Sequence, residues 1–140
     1  MNQEATLYEV RQGAAWITLN RPKARNALSS VLVSELYDHL QDANDSPDVR
    51  CIVITGADPA FCAGADLKAP PGQIVDGRTV NYADVLDRIL ESPKPVIAAV
   101  NGAAFAGGLG LVGAADIVVT AEEVQFSFSC LLYTSDAADE

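Results

Sequence analysis

The sequence predicts an α/β fold whose sheet has parallel neighbouring strands. Runs of β-forming residues alternate with segments whose apolar residues recur at helical spacing, and the run at 51–55 is apolar almost throughout. Such a run is typical of a strand buried on both faces, as occurs in sheets that are covered by helices. The order of two strands followed by alternating helices and strands favours this fold over an all-β sandwich.

The N-terminal part of the chain is predicted to hold a hairpin and a long helix. Residues 7–10 and 14–19 are rich in β-formers, and the break between them contains a glycine, which suits a hairpin turn. Residues 28–43 carry leucine and valine at helical spacing. We expect Ser29 or Ser30 to cap this helix and the helix to end near residue 43.

The second half of the chain repeats this order with shorter elements. The segment 73–80 has no clean period and follows a Pro-Pro-Gly sequence, so we expect a disordered excursion. A second amphipathic helix is predicted over 82–90 and a strand over 96–100. Glycine and alanine dominate residues 103–115, which predicts a tightly packed helix, and β-branched residues at 117–120 predict a last strand.

Composition and charge limit the function classes that need to be considered. The chain has 140 residues, of which 49% are hydrophobic and 20% charged, as in one soluble domain. Its formal charge of −10 argues against nucleic acid as a partner. We expect no membrane partner and a cytoplasmic location, because there is no long apolar run and no signal-like N-terminus. The three cysteines lack metal-binding spacing, so no metal site is expected.

Two loops of small residues follow predicted buried strands. They have the sequences FCAGADL at 61–67 and NGAAFAGGLG at 101–110. Small residues let backbone amides approach a ligand closely, and the first N–H groups of a helix have no partner within that helix. Two such loops can therefore converge on one oxygen that gains negative charge, such as a thioester carbonyl.

These loops and the motifs around them resemble the enoyl-CoA hydratase/isomerase family, also called the crotonase superfamily. The motifs lie in order with family spacing and cover about residues 5–129. They are LNRPKARNAL at 19–28, VITG at 53–56, FCAGADL at 61–67, KPVIAAVNG at 94–102, AGGLG at 106–110 and ADI at 115–117. The resemblance implies a spiral of ββα repeats that is incomplete at the C-terminus, with residues 1–129 forming an acyl-CoA-binding core.

The resemblance also implies the positions of the site residues. Two backbone N–H groups, those of Ala65 and Gly107, correspond to the family's catalytic oxyanion hole. The family's N-terminal loop lies near the coenzyme A phosphates, so Lys23 and Arg25 are expected anion contacts, with a solvated basic surface as the alternative. Asp66 is expected to brace its loop. The main-chain neighbours of the ligand implied by the resemblance are Ala63, Asp66, Leu67 and Lys68.

The implied activity is that of an enzyme acting on an acyl-CoA, with hydration of a 2-enoyl-CoA through an enolate as the main expectation. Coenzyme A enters as part of the substrate, so no separate cofactor is implied, and the family suggests a homotrimer or a dimer of trimers. Isomerase, thioester hydrolase and dehydratase chemistry stay open on the same fold. The alternative from another class is a truncated or vestigial coenzyme A-binding module without catalysis.

Two positions depart from the hydratase pattern of two glutamates. Gly110 and Cys130 stand where hydratases of the family commonly carry them. Glycine at the first position indicates altered specificity. From Cys130 onward, residues 130–140 do not resemble the family, and we interpret them as an artefactual or disordered tail, with natural divergence as the alternative.

Three other features are not assigned a catalytic role. Residues 108–113 match the dinucleotide pattern GxGxxG, but no room remains before the next strand for the helix that receives the pyrophosphate. His39 lies off the apolar stripe of its helix and is expected to face solvent. Cys62 is expected to pack as a small apolar residue rather than to react.

Overall fold

The computed structural model describes residues 4–128, and within them the chain forms ten strands and three α-helices. The strands are β1 (Thr6–Arg11), β2 (Ala14–Leu19), β3 (Cys51–Gly56), β4 (Ala60–Cys62), β5 (Ile74–Val75), β6 (Arg78–Thr79), β7 (Val96–Val100), β8 (Ala103–Phe105), β9 (Ile117–Thr120) and β10 (Phe126–Ser127). The helices are α1 (Ser30–Asp45), α2 (Tyr82–Leu90) and α3 (Gly108–Ala114). A 3-10 turn spans Pro22–Ala24. The tail predicted at 130–140 lies outside the described residues.

The strands form two main sheets with parallel neighbours. The larger sheet has the order β1-β2-β3-β7-β9 and the smaller one the order β10-β8-β4. The hairpin β1–β2 is antiparallel, and every other neighbouring pair in these two sheets is parallel. Three pairs of consecutive strands are divided between the two sheets. The first strand of each pair lies in the larger sheet and the second in the smaller one, as in β3–β4, β7–β8 and β9–β10. Helix α2 comes after the first pair and helix α3 after the second. The predicted α/β class is confirmed.

Helix α1 packs its apolar face into the core. Ser29 caps it, because the Ser29 hydroxyl accepts a hydrogen bond from the Leu32 N–H at 3.2 Å. The helix extends to Asp45, two residues beyond the predicted end. The Lys94 ammonium lies at that end and donates to the carbonyl oxygens of Ala43 and Ser46 at 2.7 and 2.6 Å. These bonds satisfy last-turn carbonyls that have no partner within the helix.

Three expectations from the sequence are wrong. The segment 73–80 forms a small hairpin, β5–β6, whose turn residues Asp76 and Gly77 have φ values of 51° and 77°. Positive φ at both central positions is the requirement of a tight hairpin turn, and Asp-Gly meets it. The segment 103–115 is not one helix, because its first residues form β8, which pairs with β4 and β10.

The third wrong expectation concerns His39, which does not face solvent. It is half-buried, and its Nε2 lies 2.8 Å from the hydroxyl of Thr6. Its ring stacks on Tyr8 with a centroid distance of 5.0 Å. The partners come from β1, which lies 31 or more residues earlier, so the helical period of α1 gave no sign of them.

The core lies between the helices and the two sheets. Fully buried side chains include Leu36 of α1, Ile54 of β3, Phe61 of β4 and Ile89 of α2. At the edge of the larger sheet, β9 is exposed along its length. Among the described residues, none of the helices has both the length and the apolar character needed to cross a membrane.

Candidate functional site

The loop that follows β4 is held against the chain segment that precedes α1. Leu28 and Ala65 form an isolated parallel bridge. The Leu28 N–H donates to the Gly64 carbonyl at 2.7 Å, and the Asp66 N–H donates to the Leu28 carbonyl at 3.0 Å. In an extended segment the N–H of the residue between these two bonds points to the other side. The Ala65 N–H therefore faces away from Leu28, and it has no acceptor within residues 4–128.

The turn between β8 and α3 presents a second backbone amide. The Ala106 N–H donates to the Ser127 carbonyl at 2.7 Å, and the Ala106 carbonyl accepts from the Leu109 N–H at 3.0 Å. Gly107 lies between these groups as the residue before α3, where the first N–H groups of a helix lack a partner. Its own N–H makes no hydrogen bond in the part of the chain that the structure describes.

These two amides border the same space. A Cβ built on Gly107 would lie 3.7 Å from the Ala65 nitrogen, and one built on Gly64 would lie 3.3 Å from the Gly107 nitrogen. Gly64 has a φ of +99°, which favours glycine. The structure thus brings together the two residues singled out in the sequence, although 41 residues stand between them.

Close packing under the site depends on Gly108 and Cys62. A Cβ on Gly108 would lie 2.3 Å from the Cys62 carbonyl oxygen, so only glycine lets α3 begin at this distance from β4. The Cys62 side chain is fully buried. Burial raises the pKa of its thiol to about 11, against a smaller opposing effect of the Gly64 N–H. Cys62 therefore packs as an apolar residue, as expected from the sequence.

Asp66 braces the loop through its side chain. One carboxylate oxygen accepts a hydrogen bond from Arg21 at 2.8 Å, and the other accepts from the backbone N–H groups of Lys68 and Ala69 at 2.8 and 3.1 Å. The hydrogen bond from Arg21 is the largest cause that lowers the Asp66 pKa below its ordinary value. The carboxylate is thus engaged within the protein, in agreement with its predicted bracing role.

Asn26 is a structural centre of the site that the sequence analysis missed. It is fully buried with a φ of 58°. Its side-chain oxygen accepts from the Arg21 N–H at 2.8 Å, and its side-chain nitrogen donates to the carbonyls of Ala57 and Ala60 at 2.9 and 2.8 Å. Asparagine tolerates positive φ better than most residues. This tolerance is the only property readable from the sequence that fits Asn26 to its position.

The predicted coenzyme A contacts lie on two neighbouring loops. Lys23 and Arg25 are exposed, and neither forms an ion pair with any described residue. The Leu67 side chain is 93% exposed. The N–H groups of Ala63, Asp66 and Lys68 donate to protein oxygens, so main-chain contacts of these residues with a ligand would use their carbonyl groups.

The space beside Gly110 is filled by another side chain. A Cβ on Gly110 would lie 2.9 Å from the Tyr82 hydroxyl oxygen and 3.4 Å from a methyl group of Leu86. The Tyr82 hydroxyl donates to the Gly107 carbonyl. Tyr82 was not predicted as a site residue, because nothing in the local sequence of α2 indicates which turn it contacts. The other departing position, Cys130, lies outside the described residues.

No group of three or more His, Cys, Asp or Glu side chains placed to hold a metal ion occurs within residues 4–128. The polar groups of the site are backbone amides, the braced Asp66 carboxylate, the buried Asn26 amide, the Tyr82 hydroxyl and the side chains of four basic residues, Arg21, Lys23, Arg25 and Lys68. Such groups bind anions and polarised carbonyl oxygens.

Comparison with known proteins gives consistent matches. A family model described as Enoyl-CoA hydratase/isomerase matches residues 9–135. A probable enoyl-CoA hydratase of Rhodobacter capsulatus is 40% identical over 129 residues, which cover 90% of this chain and 49% of that protein. A mitochondrial enoyl-CoA hydratase of Pongo abelii is 44% identical over 112 residues, which cover 79% of this chain and 39% of that protein. The chain spans about half the length of the curated relatives it matches.

Solved structures agree with these matches. An enoyl-CoA hydratase of Mycobacterium smegmatis has a TM-score of 0.80 and 31% identity, over 94% of this chain and 53% of that one. An enoyl-CoA hydratase of Mycobacterium avium has a TM-score of 0.73 and 38% identity, over 93% of this chain and 53% of that one. The crotonase-like fold implied by the motifs is therefore confirmed.

Proposed function

The chain belongs to the enoyl-CoA hydratase/isomerase family, and from this we propose that it binds an acyl-CoA thioester whose carbonyl oxygen accepts hydrogen bonds from the N–H groups of Ala65 and Gly107. The observation that carries the proposal is that both amides border one space and neither has an acceptor among the described residues. Amides arranged in this way form a preorganised site for an oxygen that becomes negatively charged.

The chemistry that such a site favours is enolate formation. Polarising a thioester carbonyl stabilises negative charge on its oxygen when the acyl chain loses a proton at C2 or gains a nucleophile at C3. Removing one donor from an oxyanion hole typically costs about 10²–10³ in rate. We propose that the reaction of this protein is the hydration of a 2-enoyl-CoA, with isomerisation, thioester hydrolysis and dehydration as alternatives.

The coenzyme A part of the substrate is proposed to bind along the two basic loops. The chain has a formal charge of −10, so a phosphate group requires a local excess of positive charge. Lys23, Arg25 and Lys68 supply it, because all three are exposed and their two loops are joined by hydrogen bonds from Arg21 to Asp66 and from the Ala63 N–H to the Arg25 carbonyl. Leu67 offers an exposed apolar contact beside them. Coenzyme A is then part of the substrate, and the site requires no separate cofactor.

A binding module without catalysis is the second candidate. It is favoured by Gly110, which supplies no carboxylate, and by Tyr82, which fills the adjacent space. Turnover of crotonyl-CoA by the purified chain of 140 residues would exclude this candidate. A homotrimeric or hexameric assembly and a cytoplasmic location stay predictions, which sedimentation and cell fractionation would test.

The test of the amide pair is the substitution Gly107→Ala, measured with a chromophoric thioester. The probe is a 4-dimethylaminocinnamoyl thioester of coenzyme A, whose absorbance moves to longer wavelength when its carbonyl is polarised. The added methyl would lie 3.7 Å from the Ala65 nitrogen and thus in the space between the amides. We expect the wild-type chain to produce the red shift and Gly107→Ala to lose most of it.

Gly113→Ala is the matched control, because a Cβ at this position of the same helix meets nothing within 4 Å. It is expected to bind the probe like the wild type. Affinity for free coenzyme A, which lacks the carbonyl, is expected to be the same in all three proteins within about twofold. A wild-type chain that binds the probe without a red shift, or a Gly107→Ala chain with an unchanged red shift, would refute the proposed amide pair.

A further inference from the structure

We infer that Tyr82 is a positioning residue that sets the direction of the Gly107 amide. The inference rests on the proposed function, and the geometry that points to it is the placement of the Tyr82 hydroxyl between the carbonyl of Gly107 and the empty Cβ position of Gly110. The contact between Tyr82 and Gly110 could not be predicted from the sequence, because the two residues belong to different helices, α2 and α3.

Tyr82 is held in place by the start of α2. Asn81 precedes the helix and forms a capping box with Asp84, in which the Asn81 N–H donates to the Asp84 carboxylate at 3.0 Å. Val85 and Ile89 of the same helix are buried. The backbone that carries the phenol is therefore fixed by a cap on one side and by core packing on the other.

The hydroxyl of Tyr82 restrains the backbone at Gly107, which as a glycine has more conformational freedom than other residues. Gly107 has no Cβ, so its φ and ψ angles of −58° and −26° are less restricted than those of other residues. Its carbonyl accepts from the Tyr82 hydroxyl and from the Gly110 N–H. Fixing this carbonyl limits rotation about Gly107, and the Leu109 N–H fixes the preceding peptide through the Ala106 carbonyl. Together these bonds orient the Gly107 N–H.

Gly110 is coupled to this arrangement by space. A methyl group there would lie 2.9 Å from the Tyr82 oxygen, which is shorter than real Cβ contacts, and 3.4 Å from its ring. A side chain at residue 110 and a hydroxyl at residue 82 therefore exclude each other in this geometry. In this chain the phenol oxygen thus lies beside the residue at which the resemblance puts a glutamate in hydratases.

The phenol acts by holding a hydrogen bond and not by transferring a proton. Burial is the largest cause that raises the Tyr82 pKa above its ordinary value, so the group stays neutral at the pH of the reaction. The hydroxyl donates its hydrogen bond to the Gly107 carbonyl, and the opposing effect of the Leu111 N–H on the Tyr82 pKa is smaller than that of burial. The hydroxyl is therefore engaged by a backbone carbonyl of the protein.

The test compares Tyr82→Phe, Gly110→Ala and the double variant in the 140-residue chain, with the chromophoric thioester and free coenzyme A as ligands. We expect Tyr82→Phe to lose about half or more of the red shift and to bind the thioester about two- to tenfold more weakly, as for loss of one hydrogen bond. Affinity for free coenzyme A is expected to change less than about twofold. Gly110→Ala should have the same effect, and the double variant should add little to either single change.

Tyr37→Phe is the matched control, because it also removes a phenol hydroxyl with a hydrogen-bond partner, Arg88, but from α1. It is expected to leave the red shift unchanged. A wild-type red shift that Tyr82→Phe leaves unchanged overturns this inference while the proposed function stands. A wild-type chain that gives no red shift refutes both the inference on Tyr82 and the proposed function. Should Tyr82→Phe fail to fold, a Gly110→Ala chain with a full red shift overturns the inference on its own.

Discussion

The guanidinium of Arg21 joins two loops that lie far apart in the sequence. It donates to the Ala27 carbonyl at 2.7 Å and to the Asp66 carboxylate at 2.8 Å. Because the Arg21 and Asp66 side chains are 26% and 12% exposed, water screens this pair less than a surface pair. At the scale of residues, side chains such as Arg21 and Asp66 therefore fix the loops of the site, while the proposed hydrogen-bond donors to the ligand are backbone N–H groups.

The Asp66 pair predicts a pH dependence of stability. The folded pKa of Asp66 lies below its ordinary value of 3.8, so its contribution is fully present above that value and is lost as the pH falls through the lower folded pKa. We expect the difference in melting temperature between wild type and Asp66→Asn to shrink from about pH 5 to about pH 3. Asp48→Asn, which removes an exposed carboxylate, is the control. A gap that stays constant over this range would contradict the prediction.

The basic loops predict a charge dependence of ligand binding. Reversing Lys23 or Arg25 to Glu is expected to weaken coenzyme A binding by about two- to tenfold each, since exposed charge pairs are modest in strength. The loss should be largest at low salt, because salt screens exposed charges. Titration by calorimetry at two salt concentrations measures it. Arg50→Glu carries the same charge change directly before β3, at the opposite end of the larger sheet, and this variant is expected to bind coenzyme A normally.

At the scale of elements, α3 depends on close approach rather than on helix propensity. It has seven residues, three of which are glycine, and glycine lowers helix stability. What fixes the helix is its contact with β4 at Gly108 and with α2 at Gly110. These two contacts fix where α3 begins, and they thereby place the Gly107 amide, which directly precedes the helix, beside Ala65.

The glycines of α3 predict opposite effects of the same substitution. Gly108→Ala is expected to lower the free energy of unfolding by about 1–3 kcal/mol, because the added methyl collides with the Cys62 carbonyl. Gly113→Ala is expected to raise it by about 0.5–1 kcal/mol, because its methyl meets open space and favours the helix. Urea unfolding followed by circular dichroism measures both. Equal effects would show that propensity, and not contact with β4, controls α3.

At the scale of the whole molecule, the β9 edge of the larger sheet and the β10 edge of the smaller sheet present apolar surface. Ile117, Val118 and Val119 of β9 are 51%, 43% and 58% exposed, and Phe126 and Phe128 are 45% and 52% exposed. An exposed apolar edge strand pairs readily with another chain. The described residues provide no cover for this surface.

The exposed edge predicts association of the chain in solution. We expect the purified chain to bind a hydrophobic dye and to sediment faster as its concentration rises. Val119→Lys should reduce both effects, since a charge on an edge strand opposes pairing. Val31→Lys, at a 45% exposed position on α1, is the control and should change neither. A monomeric wild-type chain that binds no dye would contradict this prediction.

The sequence by itself determined the strands of the larger sheet and their parallel neighbours, the two longer helices and the two loops of small residues. These features follow from local signals: apolar periodicity within helices, buried runs in strands, and Gly and Ala where backbones approach closely. It also placed Ala65 and Gly107 through a family resemblance. Their neighbouring positions in the structure agree with that placement, while their role stays a proposal.

Only the tertiary structure decided which distant groups meet. The Tyr82 hydroxyl beside Gly110, the buried Asn26 against Ala57 and Ala60, and His39 against Thr6 all depend on contacts between residues many positions apart. The strand β8 within a glycine- and alanine-rich segment likewise depends on its partners β4 and β10. Local patterns record what one segment can form, whereas these contacts are fixed by how all segments pack together.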